Sequence, residues 1–214
     1  MPPHECSGHA HDHEHGDEAG LSLRPQVDFP RVMCLNEEVA NSGAKIIKIH
    51  EERLTPDPSL TSPEDDAELL LHVPFTESVS IVSISIRSTH ESDNTFCPKI
   101  VKLFVDRENL DFETARELPP AATLELVPPD HFIEGSIDYP LRPAGRFQNI
   151  SSVSIFFEEN FSGDEETSTE VTFVGFKGKG TSVKRMAVDA VYETSANLED
   201  HEVHSGGIGA PEGL

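Results

Sequence analysis

The chain has 214 residues, 36% of them hydrophobic, which is room for one substantial domain with a core of its own. Lys plus Arg is 16 against 39 for Asp plus Glu, giving a formal net charge of −23. Phosphate backbones are bound by Lys and Arg that displace counterions, so this balance argues against nucleic acid and against anionic membrane surfaces. No apolar run approaches the roughly 20 residues of a spanning helix. The opening residues lack a basic stretch followed by an apolar one, so secretion is not expected. Cys6, Cys34 and Cys97 are odd in number and widely spaced, which suits a reducing compartment better than a disulfide framework.

Residues 1–20 carry five histidines, five acids and almost nothing apolar. Such a segment cannot bury enough surface to offset the entropy of ordering, and it reads as a disordered, His-rich acidic tail. Around Arg31–Glu38 a single helical turn is expected. Lys45–His50 (KIIKIH) and Glu68–Val73 (ELLLHV) read as strands. In Val79–Arg87, Val82, Ile84 and Ile86 share one phase, whereas Val79 and Ile81 fall in the other, which predicts a bulge or burial on both faces.

Lys99–Val105, Thr123–Val127 and Val153–Phe157 continue the series of strands. Val171, Phe173 and Gly175 then alternate, and a last run follows from Ser182. Gly175–Thr181 between them reads as a hairpin connection; it has Walker-like glycine spacing, but Thr181 stands where that motif needs Lys. Pro-rich connections fall at Thr55–Pro63 and Leu118–Pro129, and 204–214 reads as a flexible Gly-rich end. Many short strands with turn residues between them predict an all-β chain, a jelly-roll-like sandwich of about eight strands.

A set of strings in fixed order narrows this further. They are Cys34–Glu37 (CLNE), Asp65–Thr76 (DDAELLLHVPFT), Arg146–Asn149 (RFQN), Glu159–Gly163 (ENFSG), Phe173–Gly178 (FVGFKG) and Tyr192–His201 (YETSANLEDH). In this order, over residues 25–203, the chain resembles the PITH domain, the module at the C-terminal end of thioredoxin-like protein 1. With a His-rich tail in place of a thioredoxin domain, it is similar to stand-alone members of that family. The resemblance implies a galactose-binding-like sandwich, residence in cytoplasm or nucleus, and association with the regulatory particle of the proteasome. Two departures are Leu198, where the family usually has Pro, and Ser162, which separates Phe161 from Gly163.

Chemistry along the chain is sparse. Redox exchange of the thioredoxin kind needs two thiols in a C-x-x-C turn, which is absent; Cys34, after Val32 and Met33, reads as a buried inert thiol. His4, His9, His11, His13 and His15 are the metal candidates, since imidazoles on a flexible chain converge weakly on Zn²⁺, Ni²⁺ or Cu²⁺. Pro3 has no amide proton, which disfavours a tight amino-terminal copper site. No cofactor is expected and no catalytic residue is assigned: there is no nucleophile elbow and no H-E-x-x-H. Asp200 and His201 are neighbours on the chain; with Asn197 they are expected to tie the segment down by hydrogen bonds. Carbohydrate is disfavoured, because sugars stack on exposed aromatics and the chain has no Trp and only Tyr139 and Tyr192.

Lys177, Lys179, Lys184 and Arg185 form the one basic cluster and the candidate contact for an acidic partner. Acidic loops at 55–66 and 159–170 would steer association with a basic surface. The expected function is a non-enzymatic protein-binding module. The alternatives are a signalling or transcription-linked regulator with other protein partners, and metal binding by the tail.

Overall fold

The computed structural model describes residues 21–88, 96–128 and 137–184, the last four of these through their backbone. Nine strands occur among them: β1 (Met33–Leu35), β2 (Leu60–Thr61), β3 (Leu69–Arg87), β4 (Pro98–Val105), β5 (Ala122–Glu125), β6 (Asp138–Pro140), β7 (Ile150–Asn160), β8 (Glu170–Val171) and β9 (Phe173–Lys184). Every pairing is antiparallel. The organising element is β3, where two runs that read as separate strands prove to be one. Its first half lies between β1 and β7 in the row β1-β3-β7-β4-β5, and its second half lies between β6 and β9. The ladder to β7 breaks its register between Pro74 and Val79, where the strand passes from one set of partners to the other.

Side chains alternating along these strands fill the main core. Leu69, Leu71 and Val73 of β3 join Val101 and Leu103 of β4 and Val153, Ile155 and Phe157 of β7. Leu70 and His72 of β3 and Ser154 and Phe156 of β7, which lie between them, are buried as well. Leu70, Phe104 and Phe156 form a second cluster with Ala115, on a short helix at Phe112–Glu117. Asp111 caps that helix by accepting from Thr114 N at 2.8 Å, and the Phe112 ring meets Phe156 edge-on at 6.1 Å. The sheet is therefore covered on both sides here, which is why its strands read as unbroken apolar runs.

The bulge expected in Val79–Arg87 is present, and it decides which residues are buried. Ile81 pairs with Gly178 and Ser83 with Lys177, so Val82 is the extra residue. Val79, Ile81, Ile84 and Ile86 are all buried, whereas Val82 is 63% exposed and not on the face of Ile84 and Ile86. Gly178 makes this possible. A Cβ there would stand 2.0 Å from Ser80 O and 3.0 Å from Ile81 Cα, so the bulged strand passes directly over a missing side chain.

Three expectations are corrected. Arg31–Glu38 holds the edge strand β1 instead of a turn, after a 3-10 turn at Phe29–Arg31; the helical turn comes later, at Ser42–Lys45. Lys45–His50 is not a strand. Lys45 closes the helical turn Ser42–Lys45 and His50 opens a 3-10 turn at His50–Glu52, so the buried residues between them, Ile46, Ile47 and Lys48, join no strand ladder. The segment packs as irregular chain, with Ile46 O accepting from Val174 N at 3.0 Å. Gly175–Thr181 is no hairpin, because β9 runs through it unbroken. Its glycines serve close packing rather than turning, and among described glycines a positive φ occurs at Gly163 alone. The readings placed on residues 1–20 and on Arg185–Leu214, including Asn197, Asp200 and His201, lie outside the described residues.

Candidate interaction surfaces

Among the described residues, several of the strings that carry the resemblance fasten loops. Asn36, with φ of 67°, donates from Nδ2 to Glu68 O at 2.8 Å. Glu37 accepts from Asn41 N at 2.5 Å, Ser42 Oγ at 3.2 Å and Gly43 N at 2.9 Å, closing the turn that follows. A Cβ on Gly43 would stand 2.8 Å from Cys34 Cβ and 2.9 Å from Leu71 Cδ1, so only glycine lets this turn seat. Burial, and then the Glu37 carboxylate, push the Cys34 thiol up to about 12. Half-buried against Gly43 and Leu71, such a thiol offers little thiolate at neutral pH.

The two acidic loops meet. Ser62 Oγ donates to Asp66 O at 2.5 Å and accepts from Thr169 N at 2.8 Å, and Thr169 Oγ1 donates to Ala67 O at 2.6 Å. Ala67 N donates to Glu165 O at 2.9 Å, and β2 pairs with β8 alongside. Asn160, wholly buried, folds the second loop on itself. Its Nδ2 donates to Thr167 O at 2.6 Å while its Oδ1 accepts from Ser162 N at 3.1 Å. The exposed acids Glu64, Asp65, Asp164, Glu165 and Glu166 thereby share one rim, and Arg116 forks onto Glu68 beside it.

Of the basic cluster, Lys177 and Lys179 are the two members whose side chains lie among the described residues. Lys177 Nζ pairs with Asp138 Oδ2 at 2.6 Å, and Ser85 Oγ donates to the other carboxylate oxygen. Lys179 is exposed opposite Ser80. The backbone of Lys184 pairs with Glu77, while Arg185 and the five tail histidines fall outside the described residues. Among the described residues no group of three or more His, Cys, Asp or Glu is arranged for a metal.

What sequence inspection missed is the company Lys177 keeps. Arg24, Lys48 and His50 line the same depression as Lys177, between the Ile47–His50 segment and the start of β9. Arg24 donates from Nε to Ile47 O at 2.9 Å and lies 4.9 Å from the centre of the Phe29 ring. Lys48 is only 6% exposed, and burial lowers its ammonium below the ordinary lysine range. The one local signal was a lysine flanked by isoleucines, which misreads as the polar position of a strand.

The model of the PITH domain matches residues 13–196. The chain belongs to the PITH domain family. PITH domain-containing protein 1 of Dictyostelium discoideum is 33% identical over 199 residues, covering 93% of each chain. That of Homo sapiens is 34% identical over 187 residues, covering 86% of this chain and 82% of the human one. Among solved structures, the CBM32-1 and CBM32-2 domains of Clostridium perfringens ZmpB align with a TM-score of 0.52 at 10% identity, over 78% of this chain and 41% of that one. At that identity the likeness speaks for the fold alone, a galactose-binding-like β-sandwich. Within this PITH domain, four of the strings quoted above place Asn36, Glu37, Asp66, Phe147 and Asn160 in bonding or packing roles.

Proposed function

We propose that this PITH domain is a non-enzymatic protein-binding module, resident in cytoplasm or nucleus, that docks on the regulatory particle of the proteasome through its acidic rim. Family membership supports the binding role. The observation that carries the choice of surface is the fastening of the rim. Segments about a hundred positions apart, Ser62–Glu68 and Asn160–Glu170, are joined by hydrogen bonds through Ser62 and Thr169. A surface held in this way binds without first ordering its loops, so little of the contact energy is lost to conformational entropy. Its clustered carboxylates suit a basic patch on the partner and speed encounter at low salt.

The test is affinity capture from cell extract with the tagged full-length chain, beside an Asp65→Lys/Glu165→Lys/Glu166→Lys variant. Regulatory-particle subunits are expected with the wild type at low salt. They should be depleted in the variant and lost at about 500 mM salt, where charges are screened within a few ångströms. Recovery of other proteins with no proteasome subunit would refute the partner, and capture indifferent to salt and to charge reversal would refute the rim.

A further inference from the structure

The depression beside β9 has unused hydrogen-bonding capacity. An ammonium offers three protons, yet Lys48 places one, on Thr55 O at 2.8 Å, while lying 94% buried by its 6% exposure. Buried donors are nearly always satisfied. Arg24 uses Nε on Ile47 O, and its terminal nitrogens have no acceptor among the described residues. Both side chains line a half-open space of about 20 Å³ with Ser22, Ser85 and Lys177. A water-sized oxygen needs roughly 10–15 Å³ by that measure.

The acids nearby do not take up these donors. Asp138 is engaged by Lys177 and Ser85. Glu52 and Asp57 act on Lys48 only through their fields, and both are exposed to solvent, which screens them. Within a chain of net charge −23, a buried lysine and an arginine whose guanidinium carbon lies 4.9 Å from the centre of an aromatic ring line one small space. Positioned donors of this kind select an oxyanion by charge-assisted hydrogen bonds rather than by long-range attraction.

We infer that this depression binds a single oxyanion group, a phosphate or carboxylate, with Lys48 and Arg24 donating to its oxygens. Lys48 supplies its protons from the floor and the Arg24 terminal nitrogens close over the mouth. The room admits one oxygen, so the rest of the anion stays in solvent and the group enters end-on. The proton balance is simple, because the anion binds as it exists in solution and no bond is made or broken.

The experiment is a titration of the isotopically labelled full-length chain with inorganic phosphate and, separately, with acetate, against sodium chloride at matched ionic strength. Saturable amide shifts confined to 22–24, 47–50 and 174–177 are expected with the oxyanions and not with chloride. A response to phosphate alone identifies a phosphate site, and a response to both a general oxyanion site. Lys48→Met and Arg24→Gln should each weaken the response about tenfold, the loss of one charge-assisted hydrogen bond. Shifts indistinguishable from those of chloride, or unchanged affinity in a folded Arg24→Gln variant, would overturn the assignment. Arg24 lies near the surface, so that variant keeps the question open to test should Lys48→Met fail to fold. The free chain is titrated, so the outcome is independent of whether the proteasome is the partner.

Discussion

Replacing Glu37 by Gln tests the claim that a family string is a fastening. One carboxylate oxygen accepts from Asn41 N at 2.5 Å, and the other from Ser42 Oγ at 3.2 Å and Gly43 N at 2.9 Å. The Glu37→Gln amide keeps the shape but only one accepting oxygen. Its oxygen therefore stays on the buried Gly43 N–H and Ser42 Oγ, and its NH₂ turns to the exposed Asn41 N–H, which loses its acceptor to solvent. Losing that bond and the charge on the two that remain costs about 1 kcal/mol. In a domain of this size that lowers the melting temperature by roughly 2–4 °C per kcal/mol.

The same substitution removes a charge that raises the Cys34 thiol, so the thiol falls from about 12. It stays above the ordinary 9.0, because burial is the larger cause. Urea unfolding gives the first quantity. Site-resolved alkylation at pH 9 gives the second, where a pKa of about 12 leaves roughly one thiolate in a thousand against half for a free thiol. Stability equal to wild type, or Cys34 alkylated as fast as a model thiol in the wild type, would refute this account of Cys34–Glu37.

Two further outcomes follow from the packing. Gly178→Ala puts a methyl against Ser80 O and Ile81 Cα, both backbone atoms that cannot swing aside, so the variant should lose about 1–3 kcal/mol or more in urea unfolding; a wild-type midpoint would mean that the bulge at Val82 does not need glycine beneath it. His72 is buried with Nδ1 2.9 Å from Ser154 Oγ, and burial, aided by Arg31 and opposed by Glu108, lowers its pKa below 6.5. The unfolded chain therefore takes up this proton first, and stability is lost as pH falls below about 6.5. His72→Gln should flatten that part of the profile between pH 7 and 5, and equal slopes for the two proteins would refute the assignment.

Much of the fold was legible because it is locally encoded. Lys99–Val105 and Val153–Phe157 are β-branched and aromatic runs of strand length, and they form β4 and β7. The phase change in Val79–Arg87 announced its bulge, although not that Val82 would be the residue left outside. Lys45–His50 has the composition of a strand, but it links a helical turn to a 3-10 turn and bonds to β9 through Ile46 O, and tertiary context overrides propensity. In Gly175–Gly180 a glycine that permits close approach cannot be told from one that permits a turn until the strand above it is known.

The sites divide along the same line. Acidity and the ordered family strings are properties of the chain itself, and they sufficed for the sandwich fold and the PITH family. Which acids share a rim and which lysines stay available depend on pairings across long separations, as in Ser62 with Thr169 or Lys177 with Asp138. A hydrogen bond or ion pair reaches only about 3 Å. Lys177 and Asp138, 39 positions apart, come that close because the second half of β3 takes β6 on one side and β9 on the other, and Ser62 and Thr169, 107 apart, because β2 pairs with β8. That arrangement pairs Lys177 with Asp138 and sets it beside Lys48 and Arg24, two residues unnoticed in the sequence.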